Sequence, residues 1–445
     1  MRSHRIRALA LVALGLFAMG ATAACSGGDG SPGACSTNGT ASLVVTVVGL
    51  PAGVNAKVNV TGPSGTQSLT GSQTLAGTAA GSYSVTADKV TAPDPVVRTV
   101  YSATVSQSTV CVNGTTTVTV TYAPISTSNK IWISTSNAPT GNAVGIASSG
   151  LLATGAPTAA SALITPIGRH IAFDREGNLW ANGGTTIDAH FVRMSAASLT
   201  TPASGKVAAD RNINITGLDC GPGVGGIAFD RDGALWFASP CKNSIYKLSV
   251  AQLATDATVT PALTIPFAGG AEGLAFDKSG NLWVGTGDDL ERLDAATLTS
   301  ASATPSLKLS VMTKPTGGSL LHPAYLAFDA SGNLWSNDFG GNIVFQFPAA
   351  ELSGTTNKEI VPPAFVTLQV GALLGGMSFD EGGGLWIAYS AGSFIRLAGA
   401  QLTTTTDLGH PTVPDRVISC PQVNYTEDIA FYPAPAALPL SSAVP

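Results

Sequence analysis

The chain has 445 residues, 44 % of them hydrophobic, which is enough for more than one domain with a sizeable core. Only 11 % are charged and the net charge is −5, so no basic stripe exists to release counterions from a phosphate backbone, which argues against nucleic acid as a partner. The polar surface must come from Ser, Thr, Asn and Gly, residues suited to short strands, turns and an extracytoplasmic setting.

Arg2, His4, Arg5 and Arg7 precede an apolar run, Ala8 to Ala21, that is too short to remain in a bilayer, and residues 1–25 read as an export signal. Thr22-Ala23-Ala24 lead directly into Cys25. This resembles the lipobox of bacterial lipoproteins, which implies lipidation of Cys25 and a membrane contact made only through that anchor; Thr22 stands where the motif has a branched aliphatic. Cleavage after Ala23 satisfies the small-x-small rule equally and would leave Cys25 unmodified. Residues 26–35 form a Gly/Ser-rich tether. Cys35, Cys111, Cys220, Cys241 and Cys420 show no CxxC or Cys/His spacing, so disulfides in an oxidising compartment are expected.

Residues 36–125 carry strand-like runs at Ala41 to Val48, Lys57 to Thr61, Tyr83 to Thr86 and Thr116 to Tyr122, separated by Gly, Pro and Ser, and predict a small β-sandwich. Gly81-Ser82-Tyr83-Ser84-Val85 resembles a Gly-x-Tyr-x-Val hairpin of immunoglobulin-like and carboxypeptidase-regulatory-like modules, whose role would be that of a spacer. Cys35 and Cys111 stand near its two ends and are placed to pair.

From about residue 126 to 432 one unit recurs. Ile171-Ala172-Phe173-Asp174 leads to Leu179-Trp180, and the pattern returns at Phe229/Trp236, Phe276/Trp283, Phe328/Trp335 and Phe379/Trp386. Successive tryptophans lie 56, 47, 52 and 51 residues apart, the length of a four-stranded propeller blade. Asp can accept backbone N–H groups in the turn and Gly supplies the positive φ, so each unit is a hairpin. A third strand follows in each, then a short Ala-x-Leu element predicted to be one helical turn. Five units are complete; Ile131-Trp132-Ile133 and Ile429-Ala430-Phe431 are the two halves of a sixth, contributed by opposite ends of the region. The expected fold is all-β, a six-bladed β-propeller whose termini close one blade, with a loose tail at 433–445.

The Ala-Phe-Asp-x-x-Gly-Asn-Leu-Trp unit resembles the NHL-type repeat and its relatives, the gluconolactonase-like lactonases and the streptogramin lyases. In gluconolactonase-like enzymes an acidic residue before the innermost strand holds a divalent cation, and Ala271-Glu272-Gly273 resembles that context. The matching position, four before each phenylalanine, is Arg169, Gly225, Glu272, Ala324, Gly375 and Glu427, which places two carboxylates, Glu272 and Glu427, toward the axis as candidate metal ligands for an ion such as Ca²⁺. Further ligands of that family have no counterpart, and no cofactor is required by the sequence. Arg169, His170, Glu272, Tyr325, Glu427 and Asp428 are the candidate ligand-binding residues; Asp338 lies beside them, and His322 is a candidate general base with Glu272 and Glu427 as catalytic alternatives. Cys220 and Cys241 flank one unit and are placed to pair, with Cys420 an alternative partner.

Two functions follow. One is a monomeric, lipid-anchored scaffold at the cell envelope that binds a protein, glycan or small molecule. The other is a metal-dependent lactonase- or lyase-like enzyme with its site in the central channel.

Overall fold

Each repeat is a hairpin organised by one aspartate. Asp277 Oδ1 accepts the backbone N–H of Ser279 at 2.8 Å and of Asn281 at 2.9 Å, while Oδ2 accepts Asn281 Nδ2 at 2.8 Å and the Trp283 indole N–H at 3.1 Å. Gly280, with φ +85°, closes the turn by donating to the Asp277 carbonyl. Asp174 and Asp329 repeat this pattern. The backbone bonds were foreseeable from turn chemistry, but the indole bond was not: it ties the turn to the tryptophan that fills the core.

The computed structural model describes residues 35, 38–135, 142–164, 168–183, 190–200, 206–218, 224–312, 322–338, 342–368, 373–389, 392–407, 410–420 and 425–435. Cys25 and Cys220 therefore lie outside the described residues. Within them, the five complete repeats form five antiparallel meanders, each running from an inner strand outward: blade 1 from Ile171–Phe173, blade 2 from Ile227–Phe229, blade 3 from Leu274–Phe276, blade 4 from Pro323–Phe328 and blade 5 from Leu374–Phe379. Blades 1 and 3 gain a fifth, parallel edge strand, Ala257–Val259 and Lys358–Ile360, lent by the blade that follows each in sequence. In a sixth sheet the C-terminal strand Ile429–Phe431 is innermost and pairs with Lys130–Thr135, with Ile131 opposite Phe431 and Trp132 opposite Ala430. The inner strands neighbour one another in a cycle, the first meeting the last, so the sheets form a β-propeller.

Between consecutive sheets the tryptophan of one packs on the phenylalanine of the next. Trp132–Phe173, Trp180–Phe229, Trp236–Phe276 and Trp335–Phe379 meet edge to face with centroids 6.0–6.2 Å apart. All six tryptophans are buried. The Ala-x-Leu element is a helical turn at Val250–Leu253, Ala295–Thr297 and Gly399–Thr403.

Ahead of the propeller, two sheets enclose one core. The first runs Gln73–Ala79, Thr40–Val48, Thr115–Pro124, Thr99–Val105, Val90–Ala92, and the second Gly65–Leu69, Val58–Gly62, Gly81–Ala87, Thr109–Val112. Leu43, Val45, Val85, Val118 and Val120 are fully buried between them, and Cys35 is bonded to Cys111. This unit docks on the lower face of the propeller, where the aspartate turns lie. Val96 and Val97 enter the core that holds Trp386, Ile429 and Phe431, and Val100 joins Trp132 and Tyr432. Arg98 pairs with Glu381 and donates to the Ala434 carbonyl at 2.6 Å, and Lys89 pairs with Glu176. The expected loose tail therefore begins later than residue 433: Tyr432 and Ala434 are buried, Tyr432 beside Phe173 and Val100, and Ala434 at the channel cavity with its carbonyl held by Arg98.

Candidate site at the upper mouth of the channel

The inner strands start on the upper face and run toward the lower turns. Because successive side chains on a strand point to opposite faces, Phe173 and its equivalents face the cores between blades, and the residues one and three positions earlier face the axis. One before is a ring of small residues: Ala172, Ala228, Ala275, Ala327, Ser378 and Ala430. Three before stand His170, Gly226, Gly273, Tyr325, Gly376 and Asp428. Residues of these two rings, Gly376 apart, line a channel cavity of about 170 Å³ together with the residues two before each phenylalanine and the phenylalanines themselves.

This corrects the register expected from the resemblance. Arg169, Glu272 and Glu427, four before the phenylalanine, do not line the cavity; a shift of one residue puts a side chain on the other face of the strand. The carboxylate of Glu272 meets Nε2 of His322 at 2.8 Å, and that of Glu427 lies 3.8 Å from Arg169. The hydrogen bond to Glu272 raises the pKa of His322 against an opposing effect of burial, with Asp338 and Asp288 adding to the rise. Burial raises Asp338 in turn, partly offset by His322. Glu272 and Glu427 are thus each matched to a basic group, and among the described residues no cluster of three or more His, Cys, Asp or Glu stands ready to hold an ion. A hard cation needs six or more oxygens, so the donor set does not fit the divalent cation that the resemblance implied.

What the fold does bring together is His170, Tyr325 and Asp428. His170 is 8 % exposed; its backbone N–H is held by Asn182 Oδ1 at 2.9 Å, yet its Nδ1 makes no hydrogen bond and lies 3.6 Å from Asp428 Oδ2. Asp428 is fixed by the amides of Ile171, 3.1 Å from Oδ2, and Ile429, 2.8 Å from Oδ1. Gly376 must be glycine there, since a Cβ would stand 1.8 Å from Asp428 Oδ1. Tyr325, from the opposite side of the ring, brings its aromatic ring to 5.7 Å from that of His170. Burial pushes the Tyr325 hydroxyl well above its ordinary pKa, and the charges of Asp428, Glu427 and Glu272 push it further, with Arg169 opposing.

Sequence reasoning named these three residues but missed the ones that hold them, Asn182, Ser134 and Asn337. Ser134 Oγ donates to the Arg169 carbonyl and receives the amide of Asp428 at 3.1 Å. Asn337 is fully buried, donates to the Gly375 carbonyl at 2.6 Å and leaves its Oδ1 without a partner. The available signal was a polar residue inside an otherwise apolar second strand, as in Leu179-Trp180-Ala181-Asn182. Of the cysteines on this face, Cys241 is disulfide-bonded, while its expected partner Cys220 lies outside the described residues; Cys420 is buried in the core under the closing strand.

No family model matches the chain, and no curated protein matches it. Among solved structures, the chain is similar to a catalytically inactive virginiamycin B lyase from Staphylococcus aureus with quinupristin, at 12 % identity and TM-score 0.33 over 52 % of this chain and 67 % of that one. A streptogramin B lyase gives 16 % and 0.35, over 52 % of this chain and 65 % of the other. A protein from Lactobacillus plantarum gives 11 % and 0.43, over 65 % and 82 %. The chain spans about two thirds of the length of the two lyases. The propeller architecture rests on the chain's own ring of sheets.

Proposed function

We propose that the chain is an exported, lipid-anchored binding scaffold: a six-bladed propeller carried on an N-terminal β-sandwich, receiving a ligand at the upper mouth of its channel. The observation that carries this reading is the buried His170 Nδ1, left without a hydrogen bond at the head of a cavity, since a buried polar atom without a partner is costly unless something else completes it. The docked sandwich occupies the lower face, which makes the upper mouth the side offered to a partner. Export is supported by the Cys35–Cys111 disulfide, and among the described residues no helix is long and apolar enough to cross a membrane. The test is a fragment library screened against the full chain by ligand-observed NMR. Binders should be lost in Ala228→Leu, which fills the axial ring without touching the charges at the mouth; binders that survive this change would place the ligand elsewhere.

A second reading, a lactonase- or lyase-like enzyme, is favoured by the Glu272–His322 pair, in which a carboxylate orients an imidazole at 2.8 Å. It requires turnover of a simple ester such as dihydrocoumarin that falls at least about tenfold in His322→Gln and in Glu272→Gln, within the range expected for loss of acid–base help. Turnover unchanged by both substitutions would remove this reading.

A further inference from the structure

We infer that the upper channel accepts a small organic cation, its ammonium group seated between Asp428, His170 and the ring of Tyr325, and its short apolar body lying along the ring of small residues below. The inference rests on the binding reading above and adds the chemical class.

Three observations lead to it. In a ring built from a repeat, three of six equivalent positions are glycine; His170 and Asp428 come from neighbouring sheets and Tyr325 from the blade opposite His170, so the three polar side chains meet over a cavity whose remaining wall includes Gly226 and Gly273. Gly226 and Gly273 add no side chain to that wall, and close approach of the next blade requires them to be glycine: a Cβ on Gly273 would stand 2.2 Å from the Ala324 carbonyl oxygen, and one on Gly226 would stand 2.9 Å from the Leu274 nitrogen. The polar atoms aimed into that space are chiefly acceptors. Each carboxylate oxygen of Asp428 receives one amide and keeps a second lone-pair site, and Nδ1 of His170, 3.6 Å away, makes no hydrogen bond; in the tautomer protonated at Nε2 it is a second acceptor. In that tautomer the two acceptors call for a donor within reach of both.

Charge selects among donors. Glu427 is matched by Arg169 and Glu272 by His322, which leaves the carboxylate of Asp428, beside His170, as the charge at the cavity, so an ammonium is favoured over an alcohol, and a carboxylate is repelled. An aromatic face adds attraction for a cation. The size is set by the cavity: about 170 Å³ is near the ~150 Å³ at which a protein cavity holds one benzene ring. Ala172, Ala275, Leu326 and Met377 give the body of the ligand an apolar wall.

The experiment is calorimetric titration of the full chain with n-butylammonium, and with n-butanol and butyrate as neutral and anionic probes of equal shape. Butylammonium should bind at least about tenfold more tightly than butyrate and lose about tenfold in Asp428→Asn. Because Asp428→Asn disturbs two backbone hydrogen bonds, Arg169→Gln supplies a test that does not depend on that substitution. It removes the one opposing charge from a half-exposed position and should tighten butylammonium roughly two- to fivefold. Butyrate binding as well as butylammonium, or weaker amine binding in Arg169→Gln, would overturn the cation. If butanol or butyrate binds and Ala228→Leu abolishes it, the scaffold reading stands without the cation; if neither these probes nor the NMR library binds, both readings fall.

Discussion

Blades 1, 3 and 4 and blades 2 and 5 complete the same turn carboxylate in two ways. In the first group Asn178, Asn281 or Asn333 donates to the turn aspartate from Nδ2, while its Oδ1 takes the amide of Ala196, Ala295 or Ala349 just past the third strand. In the second group the asparagine is replaced by Ala234 or Gly384, and a cation reaches across from the third strand. Lys247 Nζ lies 3.1 Å from Asp230, and Arg396 Nε 2.6 Å from Asp380. The same two blades carry Gln252 and Gln401, whose side chains accept the amides of Ser249 and Ala398. The cation thus takes the place of the amide donor at the carboxylate, while Gln252 and Gln401 hold the amide one residue before the one that the asparagine takes in blades 1, 3 and 4. A neutral partner makes the turn self-contained; a cationic partner makes it depend on the third strand.

The largest effect is expected where that dependence is most buried. Asp380 has a fully buried side chain and Arg396 is 10 % exposed. Arg396→Ala leaves the carboxylate with the Gly384 amide and the Trp386 indole alone, and should cost about 3–5 kcal/mol, the range for breaking a buried ion pair. Urea unfolding measures it, and a loss below about 1 kcal/mol, the level of an exposed pair, would erase the distinction between the two groups. The sharper version converts one type into the other. Gly384→Asn alone should also destabilise, because its Cβ would meet the Arg396 guanidinium at 2.2 Å. Combined with Arg396→Gln it reproduces the Asn333 and Gln346 pairing of blade 4, and more than half of the loss in Arg396→Ala should return. Next comes Asn281→Ala in blade 3. Asp277 would keep the two turn amides and the Trp283 indole, so the cost should be about 1–2 kcal/mol, one or two hydrogen bonds without an abandoned charge.

The repeat itself was legible because it is written in apolar spacing: phenylalanine and tryptophan seven residues apart return whatever the loops do, and the two half-units at Trp132 and Phe431 identify each other by what each lacks. The exchange of Asn for a cation was also visible, as Ala234 and Gly384 with Lys247, Arg396, Gln252 and Gln401, but only to a reader who already knew that the aspartate needs a fourth partner. The site was half legible. His170, Tyr325 and Asp428 stood out as polar residues at the heads of apolar strands, yet a motif matched by context placed Glu272 on the axis when strand parity places Gly273 there. Docking of the N-terminal pair of sheets through Val96, Val97 and Arg98 was hidden, since nothing local marks a valine as belonging to a core built by distant strands.

The smallest expected effect separates charge from packing in blade 2. Burial pushes Asp230 up, but the Trp236 indole, the Ala234 amide and Lys247 outweigh it, and its pKa lies below the ordinary carboxylate value. A carboxylate depressed in the folded state contributes stability above its unfolded pKa, near 4, and loses it as the pH falls through the lower folded value. Lys247 also lays its chain over the Trp236 ring, with Nζ 5.0 Å from the centroid, so Lys247→Met keeps the stem and removes only the charge. At pH 7 the substitution should cost about 1 kcal/mol, because the pair is only partly shielded from water. The difference from the native chain should narrow as the pH falls below about 4 and through the lower folded value of Asp230, where the carboxylate takes up a proton and no longer needs the cation. A difference that stays constant across that range would mean that Lys247 supports the blade by covering Trp236, and that the cationic turn of blade 2, unlike that of blade 5, is a matter of packing.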